Sequence, residues 1–348
     1  MPWGFTGPTS RTPSHGIHDG MTQGDSVTAA ASRLRPVDSC PVCQQSTGRP
    51  WMVAPLFTLV QCMACGHVYS DRVLVETVLA HEYYCEHDGD LAARSMASKQ
   101  DRLDEYMAML AHHGVSSGRV LDVGCNSGDL LYLFRKRGWT VAGVEPSPGP
   151  AHYARTQRSI QVWTGTIEDL PKHEGFDLVT LTHVLEHIAD PRPVLARVRR
   201  ALSPGGHVLI EVPNVADPCL SLWGRHYRPL CLGDHVSFFS AKSLRTLVER
   251  CSFTVVDEAS PTHARDLVYA NLLSAVDAAR SLRHPKPAAR NEPVGVETQM
   301  RYRGALRTPV RRALDALTRS LDPAVVFATR GLSRANRGSC LIVLARPA

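Results

Sequence analysis

The sequence predicts an α/β chain built on a Rossmann-like, seven-stranded, mostly parallel sheet with helices on both faces. A small cysteine-bearing ribbon precedes the sheet, and a helical insertion interrupts it before its last strand. Three observations lead there. From Arg119 onward, short apolar runs alternate with segments of helical periodicity, the pattern of βαβ units. A glycine-bearing turn follows the first of these runs, and an acidic residue closes the second. Ahead of both stand two Cys-x-x-Cys pairs.

At 348 residues the chain has room for about two domains of roughly 150 residues each. Its apolar share of 43% and charged share of 21% are those of globular proteins, which excludes a fibrous or wholly disordered chain. No apolar run approaches the roughly 20 residues needed to cross a bilayer, so no membrane partner is expected. Residues 1–36, rich in Gly, Pro, Ser and Thr and lacking the apolar stretch of an export signal, read as a disordered tail of a cytoplasmic protein.

Residues 37–72 form the first unit. Cys40-Pro-Val-Cys43 and Cys62-Met-Ala-Cys65 are eighteen residues apart, a spacing suited to a four-cysteine zinc site. Four thiolates close a tetrahedral shell with no open position, so the ion's part is structural. His67 lies just past this shell and is expected outside it. Few apolar residues surround the cysteines, so metal binding should supply much of the unit's folding free energy.

Residues 73–117 read as a helical linker and lid. Asp71 is placed to cap a short helix over residues 73–80, and Tyr83 and Tyr84 follow in a linker. Over residues 98–113, Leu103, Tyr106, Met107 and Leu110 recur at helical spacing, and Gly114 can end that helix. The core then takes residues 118–260 and 339–348. Its strands are expected at 120–123, 140–144, 160–163, 176–181, 207–212, 253–258 and 340–344. Ser203-Pro-Gly-Gly206 reads as a turn, and Asp190-Pro191 opens a helix. Residues 261–338 form the insertion. Between Asn271 and Gly338 twelve Arg and one Lys face five acidic residues, so the basic character of the chain is concentrated here. Solvated helix faces account for such a bias, as does a site for an anionic or carrier-bound acceptor or for RNA.

The chemistry is expected at the carboxyl ends of the strands. Asp122-Val-Gly124-Cys125-Asn126-Ser-Gly128 is a turn whose glycines let backbone approach a ligand, next to a helix start with free N–H groups. Glu145, twenty-three residues after Asp122, ends the second strand, where a carboxylate can accept both hydroxyls of a ribose. The GxGxxG spacing of nicotinamide dehydrogenases is absent.

VLDVGCNSG, VAGVEPS, GTIEDLP, FDLVTLTHVLEHIADP and LSPGGHVLIEVPN, in this order, resemble the successive motifs of class I S-adenosylmethionine-dependent methyltransferases. The likeness is to the bacterial group with an N-terminal four-cysteine ribbon, and it covers roughly residues 40–258 and the last strand. It implies S-adenosylmethionine as cofactor, with Gly124, Cys125 and Gly128 along its methionine part, Glu145 on the ribose, and Thr166, Ile167 and Glu168 around the adenine. Asp122, Asn126, Thr182 and the lid residue Tyr84 complete the expected set. Asn126 stands where the family usually has glycine, a substitution Asn tolerates in left-handed backbone.

Methyl transfer needs an aligned nucleophile, and a base when that nucleophile carries a proton. His183 and His187 follow the fourth strand and would share a helical face if that helix begins early. DHVSFFS, residues 234–240, resembles the EHVSYFS segment of sugar C-methyltransferases, with Asp234 replacing glutamate. That resemblance implies catalytic duty for His235 and His187, with Glu186 beside them. It transfers the reaction and not the sugar, because those enzymes have more widely spaced cysteine pairs and a larger C-terminal domain. The stretch from Trp223 to Arg228 reads equally as a substrate lid or as a surface loop with a buried Trp. The expected function is methylation of oxygen or carbon on a small biosynthetic intermediate, a sugar nucleotide or natural product. RNA methylation is the alternative, disfavoured by a ribbon without interleaved aromatic and basic residues.

Overall fold

In a computed structural model of the chain the described residues are 34–54, 56–74, 96–170, 175–232, 234–283 and 308–348. The core strands are β6 (Arg119–Val123), β7 (Thr140–Glu145), β8 (Gln161–Thr164), β9 (Phe176–Thr182), β10 (Leu202–Pro213), β12 (Phe253–Ala259) and β13 (Cys340–Pro347). They form one seven-stranded sheet in the order β12-β13-β10-β9-β6-β7-β8. Strands β6 to β10 run parallel, and β13 is antiparallel to both of its neighbours. This is the class I methyltransferase fold. The order reverses between β6 and β9, and the loops leaving those two strands flank the crevice where such sheets take ligands.

Both faces of the sheet are covered because its strands are apolar on both. Val120, Leu178, Leu209 and Leu344 face α1 (Met96–His112), α2 (Asp129–Lys136) and α3 (Pro148–Gln157). Their alternates Leu121, Val179, Val208 and Val343 face α4 (Pro191–Ala201) and α6 (Ala241–Arg250). Period-two alternation sends successive residues to opposite faces, and each fully buried Leu or Val contributes about 1.5–3 kcal/mol. Leu103, Tyr106 and Leu110 of α1 are completely buried, and Gly114 ends the helix at φ +75°, as the periodicity predicts. Asp190 caps α4 by accepting from the Arg192 N–H at 3.2 Å.

Four expectations are corrected. Residues 34–36, assigned to the tail, are strand β1 (Leu34–Pro36), antiparallel to β5 (Arg72–Leu74). Residues 73–74 are therefore strand where a helix was expected, and residues 75–80 lie outside the described residues. Asp71 instead accepts from the Thr58 N–H at 2.7 Å. The turn at 203–206 is a register irregularity inside β10, between the pairs Leu202–Phe176 and His207–Leu178.

The cysteine unit is not self-contained. Strands β2 (Gly48–Val53), β3 (Thr58–Cys62) and β4 (Val68–Ser70) form an antiparallel ribbon whose fourth strand is β11 (Ser237–Phe238), contributed by the segment 234–240. Cys40, Cys43, Cys62, Cys65 and Tyr69 belong to the same buried cluster as Phe239, Leu244 and Leu247. The apolar surface that the ribbon lacks is supplied by the core. His67, expected outside the thiolate shell, is fully buried between Tyr69 and Phe239, with Nδ1 3.4 Å from the Ser243 hydroxyl.

The insertion contains α7 (Ala264–Arg283), α8 (Thr308–Ala328) and α9 (Arg330–Arg334), with α7 packed along α8. His263 links it to α1 through Glu105 at 3.1 Å. Both α5 (Pro218–Trp223) and the stretch after it lean on α7, and the indole of Trp223, the last residue of α5, donates to Asn271 at 2.6 Å. No helix of the described residues is long and apolar enough to cross a membrane.

Candidate active site

The loop after β6 is held open by its own geometry. Gly124 and Gly128 both sit at φ +73°, and a Cβ on Gly124 would lie 2.8 Å from a Val184 methyl. Asn126 adopts φ +50°, the left-handed conformation expected of a residue replacing glycine there. Its side-chain oxygen accepts from the Ser127 N–H at 2.7 Å, which fixes the turn locally. The Gly124 N–H donates to the Val144 carbonyl at 2.8 Å, joining the turn to β7.

Glu145 meets that turn. One carboxylate oxygen accepts from the Asn126 N–H at 2.7 Å and the other from the Ser147 N–H at 2.8 Å. The third loop joins them, because Gly165 N–H donates to the Glu145 carbonyl at 3.0 Å. There Thr166 and Asp169 cap a single 3-10 turn, with Ile167 buried and Glu168 exposed. Asp122 lies deeper, accepting from the Thr180 hydroxyl at 2.6 Å, and burial raises its carboxyl from the usual 3.8 to about 6. Burial also pushes the Cys125 thiol well up, so it stays protonated beside the turn. Thr182 ends β9 beside Tyr106. Tyr84 lies outside the described residues. The glycine turn, Glu145 and the Thr166 loop thus adjoin at one sheet edge.

On the other side of the β6 loop is a polar cluster that the sequence revealed only in part. His183, at φ +55°, puts Nδ1 3.1 Å from Glu186 and Nε2 3.0 Å from Glu211. Leu185–His187 is a 3-10 turn, so His183 and His187 do not share a helical face as expected. Glu211 is fully buried in β10, ion-paired with Arg102 and accepting from the Tyr106 hydroxyl. Arg102 and Tyr106 come from α1, as does partly buried Lys99, whose ammonium is held below its usual value by burial and supported by Asp122. Glu211, Arg102 and Lys99 were not singled out in the sequence, and Tyr106 was read there only as a buried position of the helix. A carboxylate inside the apolar run Val208–Pro213 was the one signal for Glu211, and the 99, 102, 106 spacing on α1 was the signal for its partners.

His187 and His235 meet edge to face, their ring centroids 4.7 Å apart. His187 Nδ1 donates to the Asp234 carbonyl at 3.1 Å, and His235 hydrogen-bonds to the Pro229 carbonyl. Burial lowers both imidazoles below their usual value, His235 well below it with further help from His187, so both are neutral. Burial raises Glu186 to about 7. A narrow cleft lined by Asn214, Leu220, Tyr227, Pro229 and Leu230 leads to His235. Val236 binds this cluster to the ribbon: its N–H donates to the Glu186 carbonyl at 2.8 Å, and its carbonyl accepts from Ser70 N–H at 2.9 Å.

The four ribbon cysteines fit a metal ion. Cys40 Sγ lies 3.5 Å from Cys65 Sγ, and Cys43 Sγ lies 3.5 Å from Cys62 Sγ. A tetrahedron with zinc–sulfur bonds of about 2.3 Å has edges of about 3.8 Å, close to both. Burial pushes the Cys65 thiol up to about 11. It opposes the same ionisation in Cys62, but backbone N–H groups of Cys65 and Ala64 outweigh it and bring that thiol to about 7.

Residues 95–258 match the family model described as a methyltransferase domain. Among curated proteins, the ubiquinone biosynthesis O-methyltransferase of Pseudomonas syringae pv. tomato is 36% identical over 103 residues, 28% of this chain and 44% of that protein. The protein of the same name from Bradyrhizobium is 34% identical over 105 residues, 29% and 42% of the two chains. The matches therefore span less than half of these relatives. Among solved structures, a SAM-dependent methyltransferase from Archaeoglobus fulgidus aligns with a TM-score of 0.41 at 17% identity, covering 70% of this chain and 93% of that one.

Proposed function

From the premise that residues 95–258 belong to the methyltransferase-domain family, we propose that the chain transfers the methyl group of S-adenosylmethionine to an oxygen of a small acceptor. One observation carries the reading: Glu145 adjoins the Gly124 turn through the Asn126 N–H at 2.7 Å, at the carboxyl ends of adjacent strands. A nucleoside set there exchanges the backbone donors of Glu145 for its ribose hydroxyls, while the turn and α2 flank the methionine part. Asp122, Cys125, Gly128, Thr166, Ile167, Glu168 and Thr182 are the remaining cofactor contacts of this reading. The bound sulfonium supplies an electrophilic methyl.

The acceptor occupies the histidine-bearing side. His235 contacts its oxygen as base or as ligand, His187 buttresses that ring, and Glu186 supplies the negative charge. Oxygen is preferred as the accepting atom because the relatives named above are O-methyltransferases, and a sugar nucleotide or another natural product remains the proposed acceptor class. The four cysteines hold a structural Zn²⁺, supported by their two sulfur–sulfur contacts of 3.5 Å.

Isothermal titration with S-adenosylmethionine tests the cofactor, and labelled cofactor offered with a panel of hydroxylated metabolites tests the transfer. Micromolar binding is expected. Glu145→Ala should weaken it at least tenfold, whereas His235→Ala should abolish turnover with cofactor affinity unchanged. Wild-type protein that releases no heat with the cofactor overturns the reading.

A further inference from the structure

The walls of the cleft that leads to His235 are held in different ways. Pro213, Asn214 and Val215 run on from the end of β10, pinned by N–H bonds from Asn214 to the Ser339 carbonyl at 3.1 Å and from Val215 to the Phe239 carbonyl at 2.9 Å. Ser237 and Phe238 are paired with β4. The remaining wall, Leu220, Tyr227, Pro229 and Leu230, belongs to a strap, residues 217–230, that lies between the ribbon and the insertion. The Leu220, Tyr227 and Leu230 N–H groups donate to the Asp217, Gly224 and Tyr227 carbonyls, all within the strap. Side-chain packing seats it: Leu220, Tyr227 and Leu230 cluster with Leu59 and Val68 of the ribbon, and Ala270 of α7 packs against the same cluster. A directed bond adds to this, the Trp223 indole donating to Asn271 Oδ1 at 2.6 Å. Asn271 is itself oriented, because its amide nitrogen donates to the Leu267 carbonyl at 2.6 Å.

We propose that Asn271 is a positioning residue for His235. By holding Trp223 it keeps the strap seated, and the Pro229 carbonyl of the strap then fixes which ring nitrogen of His235 carries the proton. This deepens the methyltransferase reading above and rests on its assignment of His235 to the acceptor.

The bond between His235 and Pro229 has a chemical consequence. A carbonyl can only accept, so the ring nitrogen facing it is the protonated one and the opposite nitrogen keeps its lone pair. A base works through that lone pair, which takes the proton of the acceptor hydroxyl. An imidazole released from the carbonyl divides between two tautomers, and in one of them an N–H stands where the lone pair is needed. Burial keeps His235 neutral, so the tautomer rather than the charge is what the surroundings must set. Trp223 lies six residues before Pro229 on the same strap, which gives the bond to Asn271 a short route to the ring.

Histidine-selective ¹⁵N labelling of the full-length protein, read by long-range ¹H–¹⁵N spectra near neutral pH, reports the tautomer, and His235→Gln identifies the signals. The wild type should show two well-separated ring nitrogens for His235, one protonated and one not. Asn271→Leu removes the acceptor and Trp223→Phe removes the donor; each should cut that separation at least in half as the tautomers average. Asn271→Asp keeps an acceptor for the indole and should retain the wild-type pattern. S-adenosylmethionine affinity and far-ultraviolet dichroism should be unchanged in all three variants. A His235 ring that keeps one tautomer in whichever of Asn271→Leu and Trp223→Phe folds, or that is already averaged in the wild type, overturns the assignment. Wild-type protein that does not bind the cofactor sinks the methyltransferase reading instead, and the ring spectra tell the two failures apart.

Discussion

Asp122 is a carboxylate that burial works against. Its carboxyl is raised from 3.8 to about 6, chiefly by desolvation, while the Thr180 hydroxyl and Lys99 oppose the shift. An unfolded chain gives up this proton near pH 4 and the folded one near pH 6. The folded state therefore binds more protons in between, and stability falls as pH rises through that window, by at most roughly 3 kcal/mol. Asp122→Asn keeps an acceptor for Thr180 without the charge. Urea denaturation at pH 4 and pH 7 should show the wild type losing more stability than the variant over that interval. Identical losses would mean that Asp122 ionises freely in the folded protein.

At the scale of elements, the β6–α2 turn combines a positive φ with a close approach. A side chain at Gly124 meets both obstacles, the φ of +73° and the Val184 methyl at 2.8 Å. Gly124→Ala should cost about 1–3 kcal/mol, the left-handed backbone accounting for about 1–2 of it. Adding Val184→Ala removes the clash but not the backbone strain, so thermal melting of the double variant should recover part of the loss. Full recovery would show that the turn can relax its φ, and no recovery that the Val184 contact is immaterial. The Leu185–His187 turn shows the same dependence on its surroundings. Periodicity permits a helix that would align His183 with His187, but a positive φ at His183 turns the chain toward Glu211 and delivers His187 to His235 instead.

Across the whole molecule, the ribbon and the histidine cluster at 187 and 235 are one unit. Strand β11 completes the ribbon sheet, and Val236 is hydrogen-bonded to Ser70 on one side and to Glu186 on the other. Damage to the four-cysteine cluster should therefore reach the histidines. Cys43→Ser is expected to raise hydrogen exchange at residues 235–239 as well as in the ribbon, with residues 120–128 still protected and cofactor affinity retained. Exchange confined to residues 40–70 would show the ribbon to be mechanically separate.

What the linear order of residues determined is everything local: the seven strands and most of their bounds, the cysteine pairs, the glycine turn, and Glu145 at the end of β7. Those features follow from side-chain period, turn chemistry and spacing, which a sequence displays directly. Only tertiary structure decided that β11 belongs to the ribbon more than 160 residues away, and that partly buried Arg102 meets buried Glu211 and Tyr106 beside His183. Long-range pairing leaves little mark on local pattern, because two residues make a strand only when a partner edge is waiting. A lone acid in an apolar strand likewise reads as an anomaly until the fold supplies its guanidinium.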